Sequence, residues 1–237
     1  MNVLIPMAGL GSRFSYAGYA LPKPMILMNG KPMLERVMEN LYHPSCRYTI
    51  VINEKQIQKI DVEKIVRQIT NNFEIVVLDY VPKGPAMSCL QAKILDDEPL
   101  MIINCDQIIM DFDWKIFNYF IKTKKPEAIL GVFHNTSPKN SYVKLNEKGE
   151  VVLVKEKAVI SNMATTGLHF WTRGGLFLNS VKQMIDAHDT TNGEFYVAPS
   201  FNYLPKGAVI LPFTFNLHCP IGTPSDLEFF IQKYYEI

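Results

Sequence analysis

Two cations lie close together near the start of the chain: Arg13, inside "MAGLGSRF" (residues 7–14), and Lys23, between two prolines in "PKPM". Arginine presents a planar fork of donors to phosphate oxygens, whereas lysine is a compact point charge able to follow charge from substrate to leaving group. Gly9 and Gly11 let the backbone approach a ligand closely, and the rings of Pro22 and Pro24 restrict the segment that carries Lys23. This combination suits the enclosure of a polyphosphate. Further on, Asp106 follows the apolar run "LMIIN", where a carboxylate facing a cleft can hold Mg²⁺ against phosphates. Two cations, a glycine-rich turn and one such carboxylate are the equipment for nucleotidyl transfer.

Two common phosphate-binding patterns are absent. Phe14 stands where a dinucleotide-binding turn needs its third glycine, no acidic residue follows the second strand until Glu54, and there is no G-K-[ST].

The elements that must hold these residues alternate. "NVLIPM", "YTIVI", "EIVVLDY" and "LMIIN" read as strands; "KPMLERVMENL", "QIQKIDVEKIVRQIT" and "PAMSCLQAKIL" read as helices between them. In the first of these helices Met33, Leu34, Val37, Met38 and Leu41 share one face. The pattern predicts an α/β, Rossmann-like three-layer sandwich with a mostly parallel, mixed central sheet, in which ligands bind beyond the carboxyl ends of the strands. After Asp106 a helix at "WKIFNYFIKTK" precedes strands at "EAILGVF", "SYVKLNEKGEVVLVKE" and "TTGLHFW", with "NEKG" as a hairpin turn, so antiparallel strands join the first sheet. Helices near 174–187 and 224–235 bracket a strand at "AVILPFTF". Without a linker or repeat, residues 1–237 are expected to form a single domain with two functional lobes.

The 237 residues carry 24 basic and 23 acidic side chains, which leaves no overall charge for nucleic acid or a membrane surface, so any anion is bound locally. Cys46, Cys89, Cys105 and Cys219 lack metal-ligand or redox spacing and are expected to be buried thiols in a reducing compartment. No signal peptide or long apolar run is seen, and a cytoplasmic protein is expected. The aromatic runs "WKIFNYF" and "FYVAPSFNY" are expected in the core. His43, His134, His169 and His188 have no metal-ligand spacing.

Gly9-x-Gly11-x-Arg13-Phe14, followed by Pro22-Lys23-Pro24 and "GKPML" (30–34), resembles the signature of the nucleotidyltransferases that make NDP-sugars and related CDP compounds. The likeness continues through "KGPAMSCL", "NCD", "VKEK", "TTGLHF", "GEFYVAP" and "IGTPSDL", and so spans most of the chain. It implies the nucleotidyltransferase/glycosyltransferase-A-like fold, a nucleotide lobe over 1–110 and an acceptor lobe over 111–237. It implies attack of an acceptor phosphate on the α-phosphorus of an NTP, with release of pyrophosphate.

Residue by residue, the resemblance implies that Arg13 and Lys23 are catalytic. Ala8, Gly9, Gly11, Ser12, Arg13, Gly84 and Asp106 bind the nucleotide; Lys23, Glu156, Lys157 and Gly167 bind the acceptor. Mg²⁺, or Mn²⁺ in its place, falls to Asp106. The second metal aspartate expected just before Gly222-Thr223 is missing from His218-Cys219-Pro220-Ile221, and His218 is the candidate stand-in. Ala158 replaces the proline that usually follows the Glu-Lys pair, and no sugar-specific carboxylate precedes it. Within the family the likeness is nearest to small bacterial cytidylyltransferases of surface-polysaccharide decoration, including phosphocholine and capsule phosphoramidate enzymes. The implied partners are CTP or another NTP and a small phosphorylated acceptor such as L-glutamine phosphate. A homo-oligomer is left open. Two other readings compete: a glycosyltransferase of related architecture, although "NCDQ" has one carboxylate where D-x-D has two, and a catalytically silent nucleotide-binding protein.

Overall fold

The computed structural model describes residues 1–57 and 61–235. In chain order the elements are β1 (Asn2–Pro6), α1 (Ser12–Tyr16), β2 (Leu27–Met28), β3 (Lys31–Pro32), α2 (Met33–Asn40), β4 (Arg47–Asn53), α3 (Glu54–Ile57), α4 (Val62–Arg67), β5 (Phe73–Leu78), α5 (Pro85–Cys89), β6 (Leu100–Ile103) and β7 (Gln107–Ile109). They continue as α6 (Trp114–Lys124), β8 (Ala128–His134), β9 (Ser141–Leu145), β10 (Val151–Glu156), β11 (Met163–Trp171), α7 (Gly174–Asp186), β12 (Ile210–Thr214), β13 (His218–Pro220) and α8 (Pro224–Tyr234).

Nine strands make one mixed sheet. β6-β1-β4-β5 are mutually parallel and come from the first half; β11 pairs antiparallel with β6 and carries β9, β10, β8 and β12 from the second half. The halves therefore meet along β6 and β11. After Asn2, β1 is apolar because it is buried on both faces: Val3 and Ile5 enter one apolar cluster with α2, α6 and α8, and Leu4 enters the other with α5 and α7. The result is the expected three-layer α/β arrangement.

Capping fixes where the helices begin. Asp113 accepts from the N–H groups of Lys115 and Ile116 to start α6. At α8 the Thr223 hydroxyl oxygen accepts from the Asp226 N–H, and Pro224 occupies the first turn. The "NEKG" turn forms as expected: Asn146 Oδ1 accepts from the Lys148 and Glu150 N–H groups, and Gly149 has φ +79°.

Some expectations change. The helix expected over 56–70 is interrupted: α4 has its own start at Asp61, whose carboxylate accepts from the Lys64 N–H, and residues 58–60 lie outside the described residues. The helix expected over 85–95 ends at Cys89, where the N–H groups of Gln91 and Ala92 bond three residues back in tight turns. The short antiparallel pair β7–β13 was not anticipated, because three-residue strands carry no readable period. Cys46, Cys89 and Cys105 are buried thiols, whereas Cys219 is half-buried. Among the described residues no helix is long and apolar enough to cross a membrane.

Candidate active site

The turn after β1 is built around Gly11, which caps α1 in the left-handed region at φ +61°. A Cβ on Gly11 would stand 3.0 Å from the Cβ of Lys23, so glycine serves both the turn and the approach of the second segment. Lys23 opens a single 3₁₀ turn whose next two residues, Pro24 and Met25, are buried as anchors. Its ammonium reaches 83 residues along the chain to Asp106, with Nζ 2.5 Å from Oδ2 and the two side chains 18% and 30% exposed.

Asp106 follows β6 and is clasped from a third segment. Its carbonyl accepts from the Ile221 N–H at 2.9 Å, and a Cβ on Gly222 would lie 2.9 Å from Oδ2. Burial opposes the charge on both members of the pair. Their mutual attraction outweighs it, leaving the Asp106 carboxyl below and the Lys23 ammonium above their ordinary values.

Beside this pair lies a cleft of about 380 Å³ whose lining includes Arg13, Asp106, Glu156, Lys157 and Tyr196. Glu156 and Lys157 are neighbours of opposite charge, yet each takes a neutral partner. The Ser141 hydroxyl donates to Glu156 Oε2, and Lys157 Nζ donates to the Tyr196 hydroxyl at 2.6 Å, lying 4.5 Å from its ring centroid. Lys157 is held at φ +53°. Burial pushes the Glu156 carboxyl up, against the opposing effects of Ser141 and Lys157. Burial and then Glu194 push the Tyr196 phenol up, so it stays a neutral acceptor.

Gly167, which also lines the cleft, sits where the pairing of β11 with β8 shifts register. Its N–H donates to Gln107 Oε1 at 2.7 Å, its carbonyl accepts from the Asn104 N–H, and a Cβ there would collide with Asn104 at 2.5 Å. Gln107 Oε1 also accepts from His218 Nε2 at 2.9 Å, which assigns the Nε2–H tautomer. Burial pushes His218 down to about 4, and its ring packs on Phe133 at 4.2 Å. His169, 3% exposed, is pushed down by burial to about 3.

The model of the family described as "Nucleotidyl transferase" matches residues 3–227. The chain belongs to the nucleotidyl transferase family. Bifunctional protein GlmU of Methanocaldococcus jannaschii is 30% identical over 173 residues, covering 71% of this chain and 39% of GlmU, so the chain spans about two fifths of that relative's length. Among solved structures, the nucleoside-diphosphate-sugar pyrophosphorylase of Vibrio cholerae RC9 superposes with a TM-score of 0.86 at 23% identity, over 97% of this chain and 99% of that one. The inositol-1-phosphate CTP transferase of T. maritima gives 0.72 at 18% identity, over 98% and 96%. These structural likenesses carry the fold.

In this member of the family Arg13, Asp106, Glu156, Lys157, Gly167 and His218 all line the one cleft. Lys23 lines a smaller cavity of about 160 Å³ with Gly9 and Gly11, behind the turn, and reaches the larger cleft through its ammonium. Ala8 is buried in the core, and neither it, Ser12 nor Gly84 lines either cavity. Gly84, at φ +103°, is pressed against Phe195: a Cβ would lie 2.5 Å from the Phe195 carbonyl oxygen. Around it the Phe195 N–H donates to the Lys83 carbonyl and the Ala86 N–H donates to the Phe195 carbonyl, at 2.9 and 3.0 Å.

Several polar atoms around Asp106 already have partners. Asp106 Oδ2 is held by Lys23, His218 Nε2 is engaged with Gln107, and His218 Nδ1 is sealed from solvent without a partner. Asp226 Oδ2 accepts from the Thr223 hydroxyl at 2.6 Å. Among the described residues no group of three His, Cys, Asp or Glu is disposed to hold a metal ion. Gln107 and Tyr196 are the functional residues that sequence reasoning missed; the first follows Asp106 directly, and the second lies in an aromatic run assigned to the core.

Proposed function

We propose that the chain transfers a nucleoside monophosphate from an NTP to a small phosphorylated acceptor and releases pyrophosphate. The observation carrying this reading is the single cleft in which Arg13 and the Lys23–Asp106 pair, from residues 1–110, face Glu156, Lys157 and Tyr196, from residues 111–237. The first group suits a triphosphate and the second a phosphorylated acceptor, which gives the two lobes their roles. An acceptor phosphate oxygen forms a bond to the α-phosphorus as the bond from that phosphorus to the β,γ-pyrophosphate oxygen breaks in line. Lys23 steadies the charge passing between the two phosphates, and Arg13 takes up charge on the departing pyrophosphate. Gly9 and Gly11 keep the turn beside Lys23 close to the nucleotide, Ala8, Ser12 and Gly84 support that lobe from behind rather than lining it, and Gly167 admits the acceptor where a side chain would intrude. Turnover needs Mg²⁺, with Mn²⁺ as a substitute, and full activity in EDTA would overturn that requirement.

For the nucleotide we commit to CTP, and for the acceptor to a small phosphorylated compound such as L-glutamine phosphate, in surface-polysaccharide modification in the cytoplasm. The support is the sequence likeness to small cytidylyltransferases and a fold shared with an inositol-1-phosphate CTP transferase. A sugar 1-phosphate acceptor with UTP, dTTP or GTP is the second reading, supported by likeness to a mannose-1-phosphate guanylyltransferase subunit, a UDP-glucose pyrophosphorylase and a putative glucose-1-phosphate thymidylyltransferase. A pyrophosphate-release assay crossing CTP, UTP, ATP, GTP and dTTP with phosphocholine, glucose 1-phosphate and freshly generated glutamine phosphate decides between them. Preference for UTP or dTTP with glucose 1-phosphate overturns the cytidylyl assignment alone. Nucleoside diphosphate in place of pyrophosphate would identify a glycosyltransferase, and no turnover with any pair would leave a nucleotide-binding protein.

A further inference from the structure

We infer that the free chain has no metal centre of its own: Lys23 occupies Asp106 as an internal counter-ion, and a divalent ion enters only together with the triphosphate. The second half of this inference rests on the nucleotidyl-transfer reading; the first half does not.

The argument begins at one oxygen. Lys23 Nζ lies 2.5 Å from Asp106 Oδ2, and Gly222 closes in on the same atom from the other side, with its Cβ position 2.9 Å away. An ammonium and a dication at a single carboxylate repel each other strongly where solvent is partly excluded. The carboxylate that should first attract the ion is thus neutralised by this chain's own cation. Mg²⁺ also gives up its water reluctantly and favours near-octahedral oxygen coordination. The neighbouring residues supply little of this. No carboxylate stands in residues 218–221, where the family resemblance leads one to expect a second one. His218 is turned by its bond to Gln107, and Gln107 is itself fixed by accepting from the Gly167 N–H. Asp226 is tied to Thr223 through both its carboxylate and its backbone N–H.

A triphosphate changes both sides of this balance. Its negative charge gives the Lys23 ammonium an alternative partner, and its oxygens supply the ligands that the protein lacks. Asp106 is therefore a positioning residue for Lys23 in the free chain, and it becomes available as Lys23 turns to phosphate.

Electron paramagnetic resonance of Mn²⁺ titrated into the full chain tests this without turnover. In the absence of nucleotide, the wild-type chain should leave Mn²⁺ in its aquo form to the same extent as Asp106→Asn. Lys23→Met, which uncovers the carboxylate, should bind Mn²⁺ about tenfold more tightly than wild type. Addition of CTP to wild type should yield protein-bound Mn²⁺, separated from free Mn–CTP by ultrafiltration. Mn²⁺ held by the free wild-type chain and lost in Asp106→Asn would overturn the absence of a resident centre, whatever the fate of Lys23→Met. A folded Lys23→Met that binds no better than wild type would overturn the counter-ion role of Lys23. Failure of Mn–NTP to bind with any of the five nucleotides would instead overturn the nucleotide reading, and with it the route by which the ion enters.

Discussion

The two charged pairs at the cleft, one reaching it from each half of the chain, handle charge in opposite ways. At the Lys23–Asp106 end, residues 83 positions apart in sequence meet as a direct ion pair, with glycines 11 and 222 letting the surrounding backbone close in. At the Glu156–Lys157 end, opposite charges adjacent in sequence are drawn to different hydroxyls, those of Ser141 and Tyr196. An ion pair cancels its own field until a charged ligand competes for it, whereas a charge held by a neutral hydroxyl still presents that field to a ligand. The first end is thus suited to exchange partners on binding a polyanion, and the second to hold a fixed orientation.

The largest effects should come from removing the cations at the exchanging end. Arg13→Ala and Lys23→Ala should each lower kcat/KM by about 10- to 150-fold in pyrophosphate release, the equivalent of one lost charge-assisted bond of about 1.5–3 kcal/mol. Retained kcat/KM in either variant would remove that residue from the site. Next is acid stability, which isolates the histidines lining the cleft. His169 and His218 have folded values near 3 and 4, below the ordinary 6.5, so their contribution is complete above pH 6.5 and is lost as pH falls towards those values. Between pH 6.5 and pH 5 each should cost about 2 kcal/mol of unfolding free energy. Asp106 is also depressed, so its contribution holds above the ordinary carboxylate value and disappears only at lower pH. Urea midpoints at the two pH values should therefore fall less for His169→Leu than for wild type, and equal falls would contradict the burial argument.

A smaller effect is expected at the orienting end. Tyr196→Phe removes the hydroxyl that accepts from Lys157, and should raise the acceptor KM about 2- to 12-fold while leaving calorimetric nucleotide affinity unchanged. Weakened nucleotide binding would erase the contrast between the ends. Smallest is Ser141→Ala: losing the donor that stabilises ionised Glu156 should move the acid limb of the pH–rate profile to higher pH. A shift the other way, or none, would show that Glu156 does not govern that limb.

The sequence made the chemistry of Arg13, Lys23 and Asp106 legible because residue type and a glycine-rich turn restrict what such groups do. That Lys23 and Asp106 touch was not legible. Their meeting depends on a third segment, Ile221–Gly222, which clasps Asp106 from far along the chain. The position of His218 before Gly222-Thr223 was legible, whereas its bond to Gln107 was not, because it accompanies the short pairing of β7 with β13 and strands of three residues leave no pattern to read. Tyr196 was hidden for a different reason. Val197, Ala198 and Phe201 in the same run are core residues, so average apolarity conceals the one ring whose hydroxyl faces Lys157. The α/β alternation was easier, since β1 and β6 are apolar on both faces and bounded by breaks.

The backbone bonds between Lys83, Ala86 and Phe195 have a consequence for chimera design. Phe195 adjoins Tyr196, while Gly84 between the two bonded positions has no room for a side chain. Grafting a relative's 193–197 segment alone would mismatch the 83–86 turn to which Phe195 is bonded. The transplantable unit is therefore residues 83–86 together with 193–197, two stretches more than a hundred positions apart that have to be moved as a single cassette.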